Sequence, residues 1–211
     1  MSRASTSLVL ALSGAVAFGA LAAFVAAGAL TGVDQWACDH VMPLAGELTG
    51  GPPSSLESLV PLFHATWQPA GVAVAQIVTL PGQVVISSVL IAVGAWKLRE
   101  PVWLIALLGV VIVEVVLRHT VTRPALYRNG VHITGLDSSW PSGHALRCAL
   151  VAAVIAAAWP RARTALAAWL VASALLLTIA GFHTPTDVAG GLLLALLAFG
   201  AARSARGLRE R

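Results

Sequence analysis

The composition of the chain excludes a soluble globular domain. The chain has 211 residues, of which 58% are hydrophobic and 10% are charged, whereas a soluble domain usually carries about 25% charged residues. The net charge is only +4, and the basic residues near the chain end lie beside an apolar segment, as membrane topology requires. Nucleic-acid binding is therefore excluded as well.

Six apolar segments approach the roughly 20 residues that a helix needs to cross a bilayer core. In chain order they comprise residues 7–31, 72–96, 101–117, 142–158, 164–182 and 186–202. The first is longer than the apolar part of a signal peptide, which has about 7–15 residues, and we expect an uncleaved helix. The second is expected to bend at Pro81-Gly82. These segments predict an all-α polytopic membrane protein, a bundle of six transmembrane helices in one domain over residues 1–211.

A polar stretch separates the first two apolar segments. Residues 32–70 contain several acidic residues and histidines, among them Asp34, Asp39 and His40. We predict an extracytoplasmic loop or interfacial segment, in which residues 33–44 fit an amphipathic helix on the membrane surface. A solvated loop that covers the mouth of a site is the interpretation that we favour.

The distribution of basic residues predicts the orientation of the bundle. Nine of the 13 lysines and arginines fall on one side, which the positive-inside rule makes cytoplasmic. These are Arg3, Lys97, Arg99, Arg161, Arg163, Arg203, Arg206, Arg209 and Arg211. The remaining four arginines and all six histidines fall on the outer side, so we expect chemistry at the extracytoplasmic face. Four tryptophans are predicted to form an aromatic belt at the interfaces, namely Trp96, Trp103, Trp140 and Trp159.

The segment Pro141-Ser142-Gly143-His144 combines residues that open a helix with a histidine. Proline and serine suit the first turn of a helix, where backbone N–H groups lack partners, and Gly143 would let a ligand approach that backbone. Such a helix start binds anions, and phosphate is the obvious one. Helix capping alone is the other interpretation, although a histidine at membrane depth favours a functional site.

His183 and Asp187 are four residues apart at the start of the last apolar segment, and this spacing places them on one face of a helix. A carboxylate bonded to one imidazole nitrogen fixes the tautomer and leaves the other nitrogen free to attack phosphorus. A capping aspartate beside an interfacial histidine explains the pair equally well.

Arginines follow the third apolar segment. Arg118 and Arg123 suit phosphate oxygens because a guanidinium group is a bidentate donor with a permanent charge. Arginines that merely extend to the membrane surface are the alternative. Glu114 lies four residues before Arg118 and is expected to hold that arginine in place.

In this order and on these segments, the three motifs resemble the signature of the type 2 phosphatidic acid phosphatase superfamily. That signature is Lys-x6-Arg-Pro, then Pro-Ser-Gly-His, then Ser-Arg-x5-His-x3-Asp. Residues 141–144 match the second motif fully, and His183 and Asp187 match the end of the third. The resemblance covers residues 116–191, and the six-helix layout extends it to the whole chain.

The resemblance implies a metal-independent phosphatase that needs no cofactor. His183 would attack phosphorus and form a phosphohistidine, Asp187 would orient it, and His144 would protonate the leaving oxygen and then activate water. Ser142 and the Gly143 amide would bind phosphoryl oxygens. The substrate would be a lipid phosphate or diphosphate, such as phosphatidic acid, phosphatidylglycerol phosphate or polyprenyl diphosphate.

Two positions depart from the signature. If Arg123-Pro124 matches the Arg-Pro of the first motif, the family lysine falls at Val116. Arg118 takes the place of that lysine only if the six-residue spacer of the motif is two residues shorter. Without that shortening, Arg118 aligns with the lysine and the family arginine falls at Ala125. The arginine of the third motif falls at Leu177, and we expect Arg147, near His144 on the same helix face, to replace its charge. The predicted phosphate-binding residues are Arg118, Arg123, Ser142, Gly143 and Arg147.

Hydrolysis of a membrane lipid phosphate, at the outer face of the inner (plasma) membrane, is the predicted function. A lipid-phosphate phosphotransferase of the same fold would use the same residues and is one alternative. A non-catalytic binder or transporter of lipid phosphates is the other, favoured by the missing arginine at Leu177 but not by the retained nucleophile and acid. Cys38 and Cys148 lack metal-ligand spacing and are expected to be buried free thiols.

Overall fold

The computed structural model describes residues 3–42, 70–128, 130–133 and 136–209. Within these ranges the chain forms eight α-helices and one hairpin. The helices are α1 (Arg3–Ala26), α2 (Thr31–His40), α3 (Ala70–Thr79), α4 (Val84–Leu98), α5 (Val102–Thr120), α6 (Gly143–Ala158), α7 (Arg163–Ile179) and α8 (Pro185–Arg209). Strands β1 (Tyr127–Arg128) and β2 (Val131–His132) pair antiparallel between α5 and α6. The predicted all-α class is confirmed.

Among the described residues, four helices are long and apolar enough to cross a membrane. They are Thr6–Ala26, Val102–Thr120, Pro160–Ile179 and Pro185–Arg206. Ala73–Gly82 and Val84–Leu98 provide a fifth crossing if they count as one span, bent by 45° at the Pro81-Gly82 break that the sequence predicts. Helix α6 has 16 residues, which is short for a bilayer core. The chain is therefore a membrane protein, and the six crossings remain a prediction.

The outward surface of the long helices is apolar, as a lipid environment requires. Val16 on α1 is 73% exposed, and Ile105 and Leu108 on α5 are 65% and 62% exposed. An apolar surface that follows several helices is unfavourable in water, whereas in a bilayer it contacts lipid chains.

The short helix α6 lies at the centre of the bundle. It packs against α4, α5, α7 and α8, and Leu146, Leu150 and Val154 are almost completely buried. Beyond Arg147 the helix is apolar on every side, which is typical of such a buried position. Because neighbouring helices enclose it, polar residues at the start of α6 face other parts of the protein.

Helix α8 approaches α6 closely at the same end of the bundle. A Cβ atom on Gly191 would lie 2.3 Å from the carbonyl oxygen of Ser142 and 3.0 Å from the backbone nitrogen of Leu146. Only a residue without a side chain permits this separation, as at many close helix contacts in membranes. Gly191 thus brings the start of α8 against the start of α6.

The four tryptophans that were predicted to form a belt divide into two pairs. Trp96 and Trp159 are 81% and 38% exposed, as expected of an aromatic belt. Trp103 and Trp140 are only 3% and 1% exposed, so the prediction of an exposed belt was wrong for these two. Trp140 stacks on Phe18 with ring centroids 5.3 Å apart. Hydropathy alone does not distinguish a ring that faces lipid from one that packs between helices.

Residues at the start of the polar segment 32–70 form α2, while residues 43–69 lie outside the described ranges. Asp34 and Cys38 are buried, and α2 packs against α8 and β1. Arg128 donates hydrogen bonds to the carbonyl oxygens of Cys38 and Met42, which satisfies carbonyl groups at the helix end. Cys38 and Cys148 are both free and buried, as predicted.

Candidate active site

Three parts of the chain meet at one end of the bundle. They are the residues after α5, the start of α6 and the turn between α7 and α8. The backbone N–H of Ser142 donates to the carbonyl oxygen of Asp187 at 2.9 Å, which joins the starts of α6 and α8 directly. As a result the imidazole rings of His144 and His183 lie near each other, with centroids 6.0 Å apart.

The carboxylate of Asp187 lies beside the imidazole of His183. Nδ1 of His183 is 3.6 Å from Oδ2 of Asp187, slightly beyond hydrogen-bond distance, and catalytic hydrogen bonds are often this long before substrate binds. This Nδ1 has no hydrogen-bond partner among the residues that the structure describes. Since Nδ1 faces the carboxylate, Nε2 is the nitrogen that a substrate can reach.

Three further donors hold the Asp187 carboxylate in one orientation. Ser139 Oγ donates to Oδ2 at 2.5 Å, the backbone N–H of Thr184 donates to the same oxygen at 2.9 Å, and Nη1 of Arg123 donates to Oδ1 at 3.0 Å. A fully buried carboxylate with this set of neutral and charged donors has little freedom to rotate.

Arg123 is enclosed by acidic and hydroxyl groups of the protein. Its side chain is 3% exposed, and besides Asp187 it contacts Asp34 Oδ2 at 3.4 Å and Ser139 Oγ at 3.2 Å. Asp34 in turn accepts hydrogen bonds from the backbone N–H and the hydroxyl of Thr186, at 3.2 Å and 2.6 Å. Burial raises the pKa of the Asp34 carboxyl, while these hydrogen bonds and the charge of Arg123 oppose the rise. Arg123 thus binds two carboxylates of the protein itself.

The start of α6 presents backbone donors beside His144. Ser142 caps the helix, because its Oγ accepts from the backbone N–H of Ala145 at 3.2 Å and its carbonyl oxygen accepts from that of Leu146 at 3.0 Å. The N–H groups of Gly143 and His144 belong to the first turn, where a helix provides no partner of its own. A helix start with these donors favours an anion.

The carboxylate of Glu114 joins two arginines. Nη1 of Arg147 lies 2.6 Å from Oε2, and Nη2 of Arg118 lies 3.0 Å from Oε1. Arg147 also donates through Nε to the carbonyl oxygen of Gly82 at 2.6 Å, at the break between α3 and α4. The Glu114–Arg118 pair that the sequence predicts is therefore present, and the same carboxylate also binds Arg147.

The structure shows why neither Val116 nor Leu177 could place a basic side chain in the site. Val116 is 53% exposed on the outside of α5, so a lysine there would point away from the site. Leu177 is fully buried against Ala145 and Val188, and apolar packing occupies the place of the missing arginine. Arg118 faces the bundle instead.

The eight predicted site residues all lie at this end of the bundle. They are His144, His183, Asp187, Arg118, Arg123, Ser142, Gly143 and Arg147. The structure adds Asp34 and Ser139, which sequence reasoning did not assign to the site. Ser139 comes shortly before the second motif, whereas nothing local distinguishes Asp34 from the other acids of residues 32–70. Within the described ranges no group of three or more His, Cys, Asp or Glu side chains is placed to hold a metal ion.

Comparison with known families agrees with this geometry. The family described as the PAP2 superfamily matches residues 101–210, which is more than half of the chain. No curated protein and no solved structure matches the chain. The chain belongs to the PAP2 superfamily, as the motifs predict. Membership implies phosphatase activity on phosphate esters and supports classification as a hydrolase.

Proposed function

We propose that the protein is a phosphatase that hydrolyses a phosphate or diphosphate carried by a membrane lipid, through a phosphohistidine on His183. The observation that carries the proposal is the pairing of His183 Nδ1 with the constrained carboxylate of Asp187, 3.6 Å away. Binding alone requires no nucleophile with an orienting carboxylate and a second histidine beside it, so this arrangement favours catalysis over a lipid-phosphate carrier.

The first step transfers the phosphoryl group to the protein. Nε2 of His183 attacks phosphorus and forms an N–P bond as the bond between phosphorus and the lipid oxygen breaks. His144 donates a proton to that leaving oxygen, and Asp187 stabilises the positive charge that develops on the His183 ring. The N–H groups at the start of α6 and nearby guanidinium groups stabilise the charge on the phosphoryl oxygens.

The second step releases phosphate. His144, now without its proton, accepts one from a water molecule, and the hydroxide attacks phosphorus as the N–P bond breaks. If a lipid or sugar hydroxyl took the place of water, the same residues would catalyse phosphotransfer.

A lipid substrate agrees with the position of the site. The reacting groups lie at one end of a bundle whose outward surface is apolar, so the headgroup of a bilayer lipid could arrive from the side. The positive-inside rule assigns this end to the exterior. Phosphatidic acid, phosphatidylglycerol phosphate and polyprenyl diphosphate all carry a suitable phosphate.

The test is phosphate release by the full chain, purified in detergent with EDTA, from each of these lipids and from a soluble phosphate monoester. We expect release from at least one lipid by wild type, and loss of release in His183→Ala. His119→Ala is the matched control, because His119 is exposed and contacts the carbonyl oxygen of Val115 on its own helix. Equal release by His183→Ala, or no release by wild type from any lipid, would contradict the proposal.

A further inference from the structure

The carboxylate of Glu114 lies where the site is expected to hold an anion. A Cβ atom on Gly143 would be 1.9 Å from Oε1 of Glu114 and 2.4 Å from Cδ, so the carboxylate lies directly against the backbone at the start of α6. Arg147 and Arg118 bind its two oxygens at 2.6 Å and 3.0 Å. Three of the groups predicted to bind phosphate, namely the two guanidinium groups and Gly143, thus surround a carboxylate of the protein.

The charges that pair with one another within the site balance without a ligand. Three arginines contribute positive charge, and three carboxylates contribute negative charge. They are Arg118, Arg123 and Arg147, and Glu114, Asp34 and Asp187. A phosphate monoester carries close to two negative charges at neutral pH. With Glu114 in its present position, such an anion would enter a site that has no excess positive charge.

In the absence of substrate, the Glu114 carboxylate stabilises the arginines beside it. Arg147 is buried within the bundle, where an unpaired guanidinium group is costly. Glu114 neutralises it and binds Arg118 at the same time. A phosphoryl group that took the place of the carboxylate would satisfy the same donors, whereas two anions within a few ångströms of each other repel strongly.

We infer that Glu114 is an internal competitor for the phosphate site, and that a phosphoryl group binds at Gly143 only when the Glu114 carboxylate moves away. The inference rests on the proposed function, because it takes this helix start as the phosphate site. Glu114 therefore determines affinity: it keeps the arginines paired in the empty site and weakens the binding of substrate and product phosphate.

A purely positioning role for Glu114 predicts the opposite change in phosphate affinity. If Glu114 served only to position Arg118 and Arg147 for phosphate, removal of its charge would weaken phosphate binding. Competition predicts tighter binding. The sign of the change therefore distinguishes the two roles.

The test compares the affinity of inorganic phosphate for wild type, Glu114→Gln and Glu100→Gln, each as the purified full chain in detergent, by titration calorimetry. Glutamine keeps the size of glutamate, and its single side-chain oxygen can still accept a hydrogen bond from one of the two arginines. We expect Glu114→Gln to bind phosphate at least about tenfold more tightly than wild type, a change that calorimetry resolves readily. Glu100→Gln is the matched control, because Glu100 also pairs with an arginine, Arg206, at the opposite end of the bundle, and its phosphate affinity should equal that of wild type.

Equal or weaker phosphate binding by Glu114→Gln would overturn the inference, and so would the absence of binding to wild type and variant alike. If Glu114→Gln does not fold, Glu114→Asp retains the charge but withdraws the carboxylate from Gly143, and its phosphate affinity should also exceed that of wild type. The measurement requires no turnover. Failure to hydrolyse any lipid would thus contradict the proposed function, while the ratio of phosphate affinities would still decide the role of Glu114.

Discussion

The carboxylate of Asp187 is tightly held by the residues around it. It is fully buried, and it accepts hydrogen bonds from Ser139, Thr184 and Arg123. These contacts leave the carboxylate oriented toward Nδ1 of His183. Preorganisation of this kind is what nucleophilic catalysis requires, because a carboxylate that could rotate would not fix the imidazole tautomer.

Asp34 helps to hold Arg123, which in turn binds Asp187. Loss of the Asp34 charge should therefore slow turnover. Asp34→Asn keeps the shape of the side chain but removes the charge that faces Arg123. We expect kcat to fall about tenfold, since a hydrogen bond to a charged group contributes about 1.5 kcal/mol or more. KM should change less than about twofold, because Asp34 contacts Thr186 and Arg123 and acts through Asp187. Steady-state kinetics with the lipid that wild type hydrolyses provides both constants.

Asp39→Asn is the control for this prediction. Asp39 lies on the same helix α2 but is exposed and contacts Gln35, so its kinetic constants should match those of wild type. A change in KM alone for Asp34→Asn would show that Asp34 acts on substrate binding and not on the positioning of Asp187.

At the scale of elements, the close contact between α6 and α8 brings the two histidines together. Gly191→Ala would place a methyl group 2.3 Å from the carbonyl oxygen of Ser142, and the two helices would have to separate. We expect turnover to fall at least about tenfold, because small displacements of reacting groups are costly. The free energy of unfolding should fall by about 1–3 kcal/mol. Phosphate release and thermal unfolding in detergent measure the two effects.

Gly109→Ala is the control for Gly191→Ala. A Cβ atom on Gly109, within α5, would meet nothing within 4 Å. Alanine there should leave turnover unchanged and raise stability by about 0.5–1 kcal/mol, the usual gain when alanine replaces glycine inside a helix. Equal behaviour of the two variants would show that the α6–α8 separation does not limit the reaction.

The helices were largely predictable from the sequence because the apolar segments approach the length of a membrane span and are bounded by charges or prolines. The break at Pro81-Gly82 was predictable from the local sequence, because proline removes a helix donor. The central position of α6 was not, because apolar length does not show which helix neighbours enclose. Its 16 residues resemble a short membrane span in the sequence.

The site was predictable only where chemistry is local in the chain. His183 and Asp187 are four residues apart, but His183 lies in the turn before α8. The prediction that both lie on one helix face was therefore wrong, and the turn brings the pair together. The contact between Asp34 and Thr186 joins residues 152 positions apart, and no local pattern indicates it. The same reason applies to Arg147, whose approach to Glu114 depends on how α5 packs on α6.

At the scale of the whole molecule, the two ends of the bundle differ in chemistry. One end carries the histidines and the paired charges of the site, and the other carries basic residues such as Lys97, Arg163 and Arg203. The positive-inside rule predicts that the basic end lies in the cytoplasm and that the site faces the exterior. The asymmetry therefore predicts how the protein lies in the membrane.

Cysteine labelling in cells tests this orientation. Val131 in the hairpin is 54% exposed, and Ala205 is exposed near the basic end of α8. A membrane-impermeant maleimide should label Val131→Cys in intact cells and Ala205→Cys only after permeabilisation. Wild type should remain unlabelled, because both native cysteines are buried and burial raises the pKa of the Cys38 thiol to about 11, so little reactive thiolate exists at neutral pH. The reverse pattern of labelling would place the site in the cytoplasm.

If His183 carries the phosphoryl group between the two steps, the phosphohistidine can be trapped. The purified chain is mixed with a hydrolysable lipid phosphate, quenched in alkaline denaturant within the first turnover, and digested for mass spectrometry under conditions that preserve phosphohistidine. We predict a phosphoryl group on His183 that disappears on brief exposure to acid and is absent in His183→Ala. Rapid phosphate release by wild type without any phosphorylated His183 at the earliest times would show that His183 does not carry the phosphoryl group.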